Sequence, residues 1–505
     1  MVVATASVRE DIDAAMDNDG QLLGRMEQGI SDLWASPAAR GDGGGDDEAF
    51  TIVRLPSHVH AQNKSLYEPR VVSVGPYDLG SGSTRAMQGH KWRFLRDFLL
   101  QNAGDGGGGG GGGGHLDACL REARAVEARA RRCYGEPLEM GSDEFVQMVV
   151  LDGCFVLEFL LKWSESESGA AELDAYIRWI WIYVYYDLLL VENQIPFFVV
   201  AKLFNLAGGG GGAAAMGDDD DDAVDQRLLD LIYKFFSLHE PLCQVPAPSQ
   251  LTVHHLLHLQ YQRMVMPPER RSTTSRLSSR QSASPCNKYS IAGGATAATP
   301  LAIPCVTELQ EFGVAFREKA SPVSQFDVTF RGGTMEIPRL ALSSGARILL
   351  ANLLALEQTT GDWEGEGIVT SYLVLMNALV NTGADVAVLQ RRGVLDNMLS
   401  NEEAAAAFFN RFGGCALFDP RGHHYARLFA DANEYRNHRW NRYIAVLKRD
   451  HLRTPCSIIS LLAAATLLCI SVMPHIAPPP RLCRLATRRP PRRAGAAVRL
   501  SSNKG

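Results

Sequence analysis

The chain lacks the short motifs that mark the common enzyme classes. Its 505 residues contain no G-x-x-x-x-G-K-S/T phosphate loop, no G-x-G-x-x-G turn that opens a helix after a strand, no G-x-S-x-G turn and no H-E-x-x-H pair. A triad assembled from distant residues would leave no such motif, and Cys415 with His423 or His424 is one combination. We predict no catalytic, cofactor-binding or metal-binding residue, and a hydrolase or transferase with a scattered active site is the alternative.

Paired cysteines, a secretory signal and an overall basic charge are missing as well. The ten cysteines include no C-x-x-C pair and no dense framework, so reduced thiols are expected. The first residues, MVVATASVREDIDAAMD, lack the apolar core of a signal peptide, which predicts that synthesis begins in the cytosol. The net charge of -6 offers no general attraction for nucleic acid, and no nucleic-acid partner is expected.

The most informative stretch that is present is an apolar run from Tyr183 to Leu206, interrupted by Asp187 and by the triplet Glu192-Asn193-Gln194. Bulky apolar residues flank these polar groups, and a buried polar group must be hydrogen-bonded or cost kilocalories. Pro196 cannot donate a backbone N–H and biases the preceding residue away from helix. The run therefore predicts helix, break and helix, with the triplet as a buried cap and Phe197 to Leu206 packed back on the first arm.

Several longer phrases follow one another along the chain: YEPRVVSVGPY, GHKWRFLRDFL, DEFVQMVVLDGCFVLEFL, DLLLVENQIPFFVVAKLF, IPCVTELQEFGVAFRE, FDVTFRGGTMEIPRLAL, TSYLVLMNALVNTGADVAVLQRRGVL and NEYRNHRWNRYIAVLKRDHLRTP. In this order they resemble the plant family called domain of unknown function 247, from about residue 50 to residue 472. The resemblance implies a mostly helical, plant-specific protein with one C-terminal membrane anchor and no established enzymatic activity. Some relatives lie at grass self-incompatibility loci, which implies recognition or signalling as one role.

The order of these phrases along the chain predicts one large domain that insertions interrupt. A flexible leader at 1–49 precedes the family helical domain at 50–453. Disordered insertions are predicted near 102–115, 207–223 and 267–300, because their runs of Gly, Asp and Ser bury too little apolar surface to fold. The third insertion contains RRSTTSRLSSRQS, which is either a plain linker or a phosphorylation loop.

The fold class is predicted to be mainly α, with a large helical domain, a small β-hairpin and a C-terminal single transmembrane helix. The hairpin is FDVTFRGGTMEIP, which alternates apolar and polar residues around Gly332-Gly333. Val71 to Val74, closed by Gly75-Pro76, is a candidate strand. Apolar spacing, with Asp385 and Ser400-Asn401 as start signals, predicts helices at GHKWRFLRDFLL and at 145–163, 347–358, 368–381, 384–399, 402–412 and 425–449.

Three groups of polar residues admit a structural and a functional interpretation. Asp152 and Glu158 lie six residues apart in an apolar helix and so on different faces, which favours a core helix over paired acid–base chemistry. His254 and His258 share a helix face, yet no third ligand has an evident spacing, so a half-buried amphipathic helix is favoured over a zinc site. The run from Asp218 to Asp222 lacks the glycine turn and closing Glu of a calcium loop, which favours solvated charge.

The C-terminal part is predicted to attach the protein to a membrane. Cys456 to Met473 is an uncharged run of eighteen residues, preceded by Thr454 as N-cap and Pro455 at the first helical position. A transmembrane anchor at 456–473 is favoured over a buried terminal helix, because basic residues flank the run. The basic, proline-rich tail at 474–505 departs from the family pattern.

These features predict a membrane-tethered interaction, recognition or signalling protein, with the plasma membrane as one location. Its expected partners are membrane lipid, through 456–473, and an unknown protein. The main domain is expected on the cytosolic side. Asn63-Lys64-Ser65 is an N-glycosylation sequon in a predicted loop and would report the opposite orientation.

Overall fold

The structure is a computed structural model of the chain. It describes residues 51–101, 111–167, 175–209, 225–237, 253–265, 302–360, 367–415, 423–438, 459 and 463–471. These residues belong to two compact units, Met1–Arg439 and Trp440–Gly505. The predicted leader at 1–49 and the tail at 474–505 lie outside the described residues.

Helices account for most of the described first unit, which confirms the predicted mainly α fold. Their bounds are α1 Ser57–Gln62, α2 Lys64–Tyr67, α3 Arg85–Gln101, α4 Gly111–Ala125, α5 Glu127–Arg132, α6 Ser142–Glu167, α7 Ala175–Asp187, α8 Phe197–Phe204, α9 Gln226–Phe236, α10 Leu256–Val265, α11 Val306–Glu311, α12 Ser344–Thr360, α13 Ile368–Leu379, α14 Gly383–Arg391, α15 Glu402–Cys415 and α16 Ala426–Asn437. A π-helical turn, Asn205–Gly209, continues α8.

Helix α6 lies at the centre of the core. Phe155, Leu157 and Leu160 are completely buried, and the helix packs against α3, α4, α8 and α9. A helix that is apolar nearly all round must be covered on several faces, and these four neighbours provide that cover. The prediction of a buried core helix at 145–163 is confirmed.

The predicted sequence of helix, break and helix is also confirmed. Helix α7 ends at Asp187, and α8 begins directly after Pro196, whose φ of -57° suits the residue before a helix. The intervening residues are buried, as predicted for the triplet. Helix α8 packs chiefly on α6 and α4, not back on α7 as predicted, because the long break turns the chain away from the first arm.

The predicted hairpin is present and belongs to a small sheet. Strands β2 (Thr329–Arg331) and β3 (Thr334–Ile337) pair antiparallel around Gly332-Gly333, with Phe330 opposite Met335. Both turn glycines have positive φ, as a tight turn requires. A further strand, β1 (Ala315–Glu318), pairs parallel with β3 and was not predicted, because its partner lies at a distance in sequence.

A second, two-stranded sheet corrects one predicted helix. Strands β4 (Leu340–Leu342) and β5 (Leu395–Asn397) pair in parallel, so the helix predicted to reach residue 399 ends at Arg391. Gly393 has a φ of 73°, which turns the chain out of the helix. The predicted start signals hold: Asp385 completes a capping box, and the Asn401 side chain accepts the Ala404 N–H.

Two further boundaries differ from the predictions. Helix α16 ends at Asn437, where His438 takes an extended backbone, so the helix predicted at 425–449 ends earlier than predicted, and residues 439–449 lie outside the described residues. Helix α4 begins at Gly111, within the first predicted insertion, and the π-helical turn extends into the second. Residues 102–110, 210–224 and 266–301 lie outside the described residues.

The glycosylation sequon does not lie in an open loop. Asn63 joins α1 to α2 and is 8% exposed. Its side chain donates to the Val59 carbonyl and accepts a hydrogen bond from Arg411. The expectation of an accessible loop is wrong, since packing against α15 covers this asparagine, and Asn63 is a poor reporter of orientation.

In the described part of the second unit, residues 463–471 are helical, and Leu467 and Leu468 are each 67% exposed. Among all described residues, no single helix has both the length and the hydropathy to cross a membrane; α13 and α14, which meet at 105°, reach those limits only when taken together. The predicted anchor at 456–473 is described at 459 and 463–471 alone, so it stays a prediction.

Candidate functional site

Four polar side chains that follow or end α7 hold the N-terminal part of the domain from inside the core. We call Asp187, Glu192, Asn193 and Gln194 the polar clasp. All four are at most 4% exposed. Asp187, Glu192 and Asn193 bond chain segments more than one hundred residues away, and Gln194 bonds α10, so the clasp connects parts of the domain that no local structure joins.

Asp187 binds three consecutive backbone N–H groups. Its carboxylate accepts from Arg70 at 3.0 Å, Val71 at 2.8 Å and Val72 at 2.9 Å. Burial raises the pKa of Asp187 to about 6, and the backbone donors oppose that rise. The strand predicted at 71–74 is therefore wrong: the segment has the strand's apolar pattern, but side chains, not a neighbouring strand, satisfy its backbone.

Asn193 also bonds the backbone of the segment that contains residues 70–74. Its Oδ1 accepts the Val74 N–H at 2.6 Å, and its Nδ2 donates to the carbonyls of Val72 and Asp187. The Asn193 side-chain amide thus bonds backbone groups of two separate segments. One is the segment at 72–74, and the other is the end of α7, whose last carbonyl accepts from Nδ2. This confirms the predicted capping role.

Gln194 and Glu192 bond two other parts of the chain. The Gln194 Nε2 donates to the carbonyls of Leu188 and Leu190 within the break, and its Oε1 accepts the Leu257 N–H of α10. Glu192 is not a helix cap: it accepts the Leu55 N–H at 2.6 Å and lies 3.7 Å from His60 of α1. The triplet therefore unites three distant parts of the chain.

A buried ion pair binds the C-terminal end of the segment at 70–75, which Asp187 and Asn193 also bind. Lys91 of α3 is completely buried and donates to Asp152 of α6 and to the Ser73 carbonyl. Asp152 also accepts the Gly75 N–H at 2.9 Å. Gly75 has a φ of 84°, and a Cβ there would lie 2.4 Å from the Gln194 carbonyl oxygen, so only glycine fits against the clasp.

Asp152 and Glu158 have separate partners in the core. Asp152 binds Lys91, whereas Glu158 lies 3.4 Å from Lys162 and accepts a hydrogen bond from Gln101. Burial raises the pKa of Glu158 to about 7. The two carboxylates serve separate helix contacts, which is what their positions on different faces of α6 predict.

The histidine segment at 254–258 is more deeply buried than predicted. Every residue of α10 is buried, so the prediction of a half-buried amphipathic helix is wrong. The rings of His254 and His258 stack 4.7 Å apart, and burial lowers the pKa of the neighbouring His255 to about 3. Within the described residues, no three His, Cys, Asp or Glu side chains are arranged to hold a metal ion.

The combination of Cys415 with His423 or His424 that the sequence suggested stays a prediction, since the structure describes the histidine side chains alone. His423 is buried against the Phe429 ring, and the backbone N–H of His424 donates to Ser371. The Cys415 side chain and residues 416–422 lie outside the described part, as do Asp218 to Asp222 and the RRSTTSRLSSRQS segment.

The surface feature that sequence reasoning missed is a row of exposed aromatic side chains on α7. Tyr176, Trp179 and Tyr183, spaced three and four residues apart, lie on one helix face and are 37%, 75% and 39% exposed. We call these three residues the aromatic face. The sequence of α7, AYIRWIWIYVYYD, is apolar nearly all round, with Arg178 and Asp187 as its charged residues, and so gives little sign of which side faces outward.

A ring contact connects the aromatic face to α3. The imidazole of His90 stacks on Tyr176 with ring centroids 4.6 Å apart. Two residues further along α3, Trp92 is 51% exposed. The opposite side of α7 is buried through Ile180, Val184 and Tyr185, so the core fixes the orientation of the aromatic face.

The fold and these two features define a mainly helical protein, held by a buried polar clasp, that carries an exposed aromatic face. A family model described as a plant protein of unknown function, DUF247, matches residues 52–470. The chain belongs to this family, as its sequence phrases predicted.

Two relatives from Arabidopsis thaliana are similar over most of their length. The UPF0481 protein At3g47200 is 26% identical over 437 residues, which cover 84% of this chain and 85% of the relative. The putative UPF0481 protein At3g02645 is 21% identical over 500 residues, which cover 84% of this chain and 89% of the relative. No solved structure matches the chain.

The clasp generates a stability prediction. Asn193→Leu should lower the free energy of unfolding by about 1–3 kcal/mol for each buried backbone group left without its partner, and Asn193 serves three such groups. Gln194→Leu should act in the same direction. Urea denaturation followed by circular dichroism measures both changes.

Asn410→Leu is the matched control, since Asn410 is exposed on α15 and bonds a single carbonyl. Its effect should stay within about 0.5 kcal/mol. A clasp variant that unfolds with the parent midpoint would show that these hydrogen bonds contribute no net stability.

Proposed function

We propose that the protein is a membrane-tethered interaction protein whose aromatic face binds a protein partner. The observation that carries the proposal is the exposure of Trp179, which leaves three quarters of a large apolar side chain in water. Single exposed apolar residues are ordinary, whereas three aromatic residues on one helix face form a patch. Such patches mark places where another molecule binds.

The composition of the patch favours a protein partner. Trp, Tyr and Arg dominate the residues that carry binding energy at protein interfaces, and Arg178 is exposed directly beside Trp179. Surfaces that bind anionic lipid carry several basic residues, but α7 contains Arg178 alone. A second copy of the chain and a lipid surface are the competing occupants.

The same residues specify the chemistry of the partner surface. The Trp179 ring requires an apolar pocket, and its indole N–H requires an acceptor at the edge of that pocket. The expected partner surface is therefore an apolar pocket with a hydrogen-bond acceptor at its edge.

The predicted anchor at 456–473 supports the tethered part of the proposal. Its uncharged run and basic flanks are typical of a single membrane-spanning helix. A tether holds the domain at high effective concentration near partners at the same membrane. Recognition or signalling at a membrane fits this arrangement.

The aromatic face generates an affinity prediction. A photo-cross-linking amino acid placed at position 179 in plant cells identifies the molecule that covers the face. With that partner purified, Trp179→Ala should weaken binding by at least about 30-fold, the effect expected when a central aromatic anchor is lost. Isothermal calorimetry measures the dissociation constants.

Met398→Ala is the control, because Met398 is 64% exposed and lies directly after β5, outside the aromatic face. Both substitutions should leave the unfolding free energy within about 0.5 kcal/mol of the parent. Equal affinity of the Trp179→Ala variant and the parent, or cross-links solely to lipid or to a second copy, would contradict a protein partner.

The proposed topology places the main domain on the cytosolic side, and a substitution at an exposed turn tests it better than Asn63. Gly82→Asn completes an acceptor sequence with Ser83 and Thr84, and a Cβ at position 82 meets no atom within 4 Å. In plant cells this variant should stay in carbonate-washed membranes and show no glycosidase-sensitive mass.

Membrane retention and glycosidase sensitivity test separate parts of the proposal. Release of the protein by carbonate would remove the membrane anchor from the proposal. Retention with a glycosidase-sensitive mass would keep the anchor and reverse the orientation.

A further inference from the structure

Helix α3 carries a straight row of exposed side chains along its outer side. Phe94 and Phe98 on the opposite side are buried, so packing on α6 fixes the row in an outward position. Its members recur mostly three or four residues apart, which places them on one face of the helix. We call this row the α3 stripe, and it consists of Arg85, Gly89, Trp92, Arg93, Arg96 and Leu100, which are all exposed. At the helical rise per residue, the stripe is about 22 Å long.

The stripe is positively charged. Within the described part of the chain, Arg85 and Arg93 form no salt bridge, and the stripe itself contains no acid. Asp97 lies beside it, but its carboxylate is bonded by both Arg96 and Lys162 of α6, each at 2.7 Å. One carboxylate that two cations share leaves the charges of Arg85 and Arg93 unbalanced. The stripe therefore favours an anionic partner.

Two large apolar side chains lie among these arginines. Trp92 is 51% exposed and Leu100 is 61% exposed, and the helix separates them by about 12 Å. A protein pocket favours clustered anchors, such as the three rings of the aromatic face. The interface of a bilayer instead accepts scattered Trp and Leu side chains, while its phosphate groups bond arginine. A Cβ on Gly89 would meet no atom within 4 Å, so the middle of the stripe is open.

We propose that the α3 stripe binds an anionic phospholipid surface. Its arginines bond the lipid phosphates, and the Trp92 indole lies at the level of the headgroups. Charge and shape together specify this partner, since a straight row of arginines matches a flat layer of phosphates. The stripe is separate from the aromatic face. Its binding does not depend on the predicted anchor at 456–473, although that anchor would hold the domain beside such a surface.

The stripe generates a lipid cross-linking prediction. Benzoylphenylalanine at position 92 keeps an aromatic side chain there and forms covalent adducts with the molecules that it contacts. The purified full chain is irradiated with phosphatidylcholine vesicles that contain or lack phosphatidylserine, and mass spectrometry measures the lipid adduct. The adduct should require phosphatidylserine, and its yield should fall as salt is added, because ions screen the arginines.

The double variant Arg85→Gln/Arg93→Gln tests the charges. Its adduct yield should fall about fivefold for each arginine removed, which corresponds to about 1 kcal/mol per basic residue at an anionic surface. Neither arginine has a salt-bridge partner among the described residues, so the unfolding free energy should change by less than about 0.5 kcal/mol. The matched control is Arg317→Gln/Arg331→Gln, since both arginines are exposed on the small sheet, and it should keep the parent yield.

Benzoylphenylalanine at position 398 distinguishes binding from random collision. Met398 is 64% exposed outside the stripe, so this position should give little lipid adduct. Equal yields at positions 92 and 398, equal yields with and without phosphatidylserine, or the parent yield in Arg85→Gln/Arg93→Gln would overturn the proposal. Cross-links from position 92 to protein alone, in plant cells, would also overturn it and would assign the stripe to a protein partner.

Discussion

The structure depends on hydrogen bonds from buried side chains to the backbone of a segment that forms neither helix nor strand. A core excludes water, so each buried N–H and C=O of residues 70–75 requires a protein partner. Asp187 and Asn193 bond the N–H groups from Arg70 to Val72 and of Val74, and Asp152 bonds that of Gly75. These side chains satisfy the backbone hydrogen bonds of the segment, as a neighbouring strand would in a sheet.

This arrangement explains why the break between α7 and α8 is polar within an apolar run. A regular helix through residues 188–196 would satisfy its own backbone and leave nothing to bond the N-terminal segment. The break instead turns Glu192, Asn193 and Gln194 toward three parts of the chain, and Asn352 of α12 accepts the Val191 N–H. The core is thereby linked from Leu55 to Asn352 of α12.

Local physics allowed much of the fold to be predicted from sequence. Apolar spacing and caps predicted the core helix α6, the hairpin at Gly332-Gly333 and the broken helix at Pro196, because each signal lies within a few residues of the structure it specifies. The partners of the clasp could not be predicted in this way, since Asp187 and Val72 are 115 residues apart. The strand predicted at 71–74 failed for the same reason: an apolar pattern indicates burial but not what bonds the backbone.

The exposed aromatic face was still harder to predict from the sequence alone. The aromatic face lies on a helix that is apolar nearly all round, and the packing of Ile180 and Val184 shows which side remains exposed. This feature depends on long-range contacts that an isolated sequence segment does not contain.

The most direct test of the clasp is native-state hydrogen exchange at the amides of Val71, Val72, Val74 and Gly75. If side chains hold this segment as strongly as a sheet would, these amides should exchange only through global unfolding, with a protection free energy equal to that of unfolding. Gly80, in an exposed turn, is the internal reference and should exchange rapidly. Exchange of the four amides at the Gly80 rate would contradict the clasp as the interaction that organises the fold.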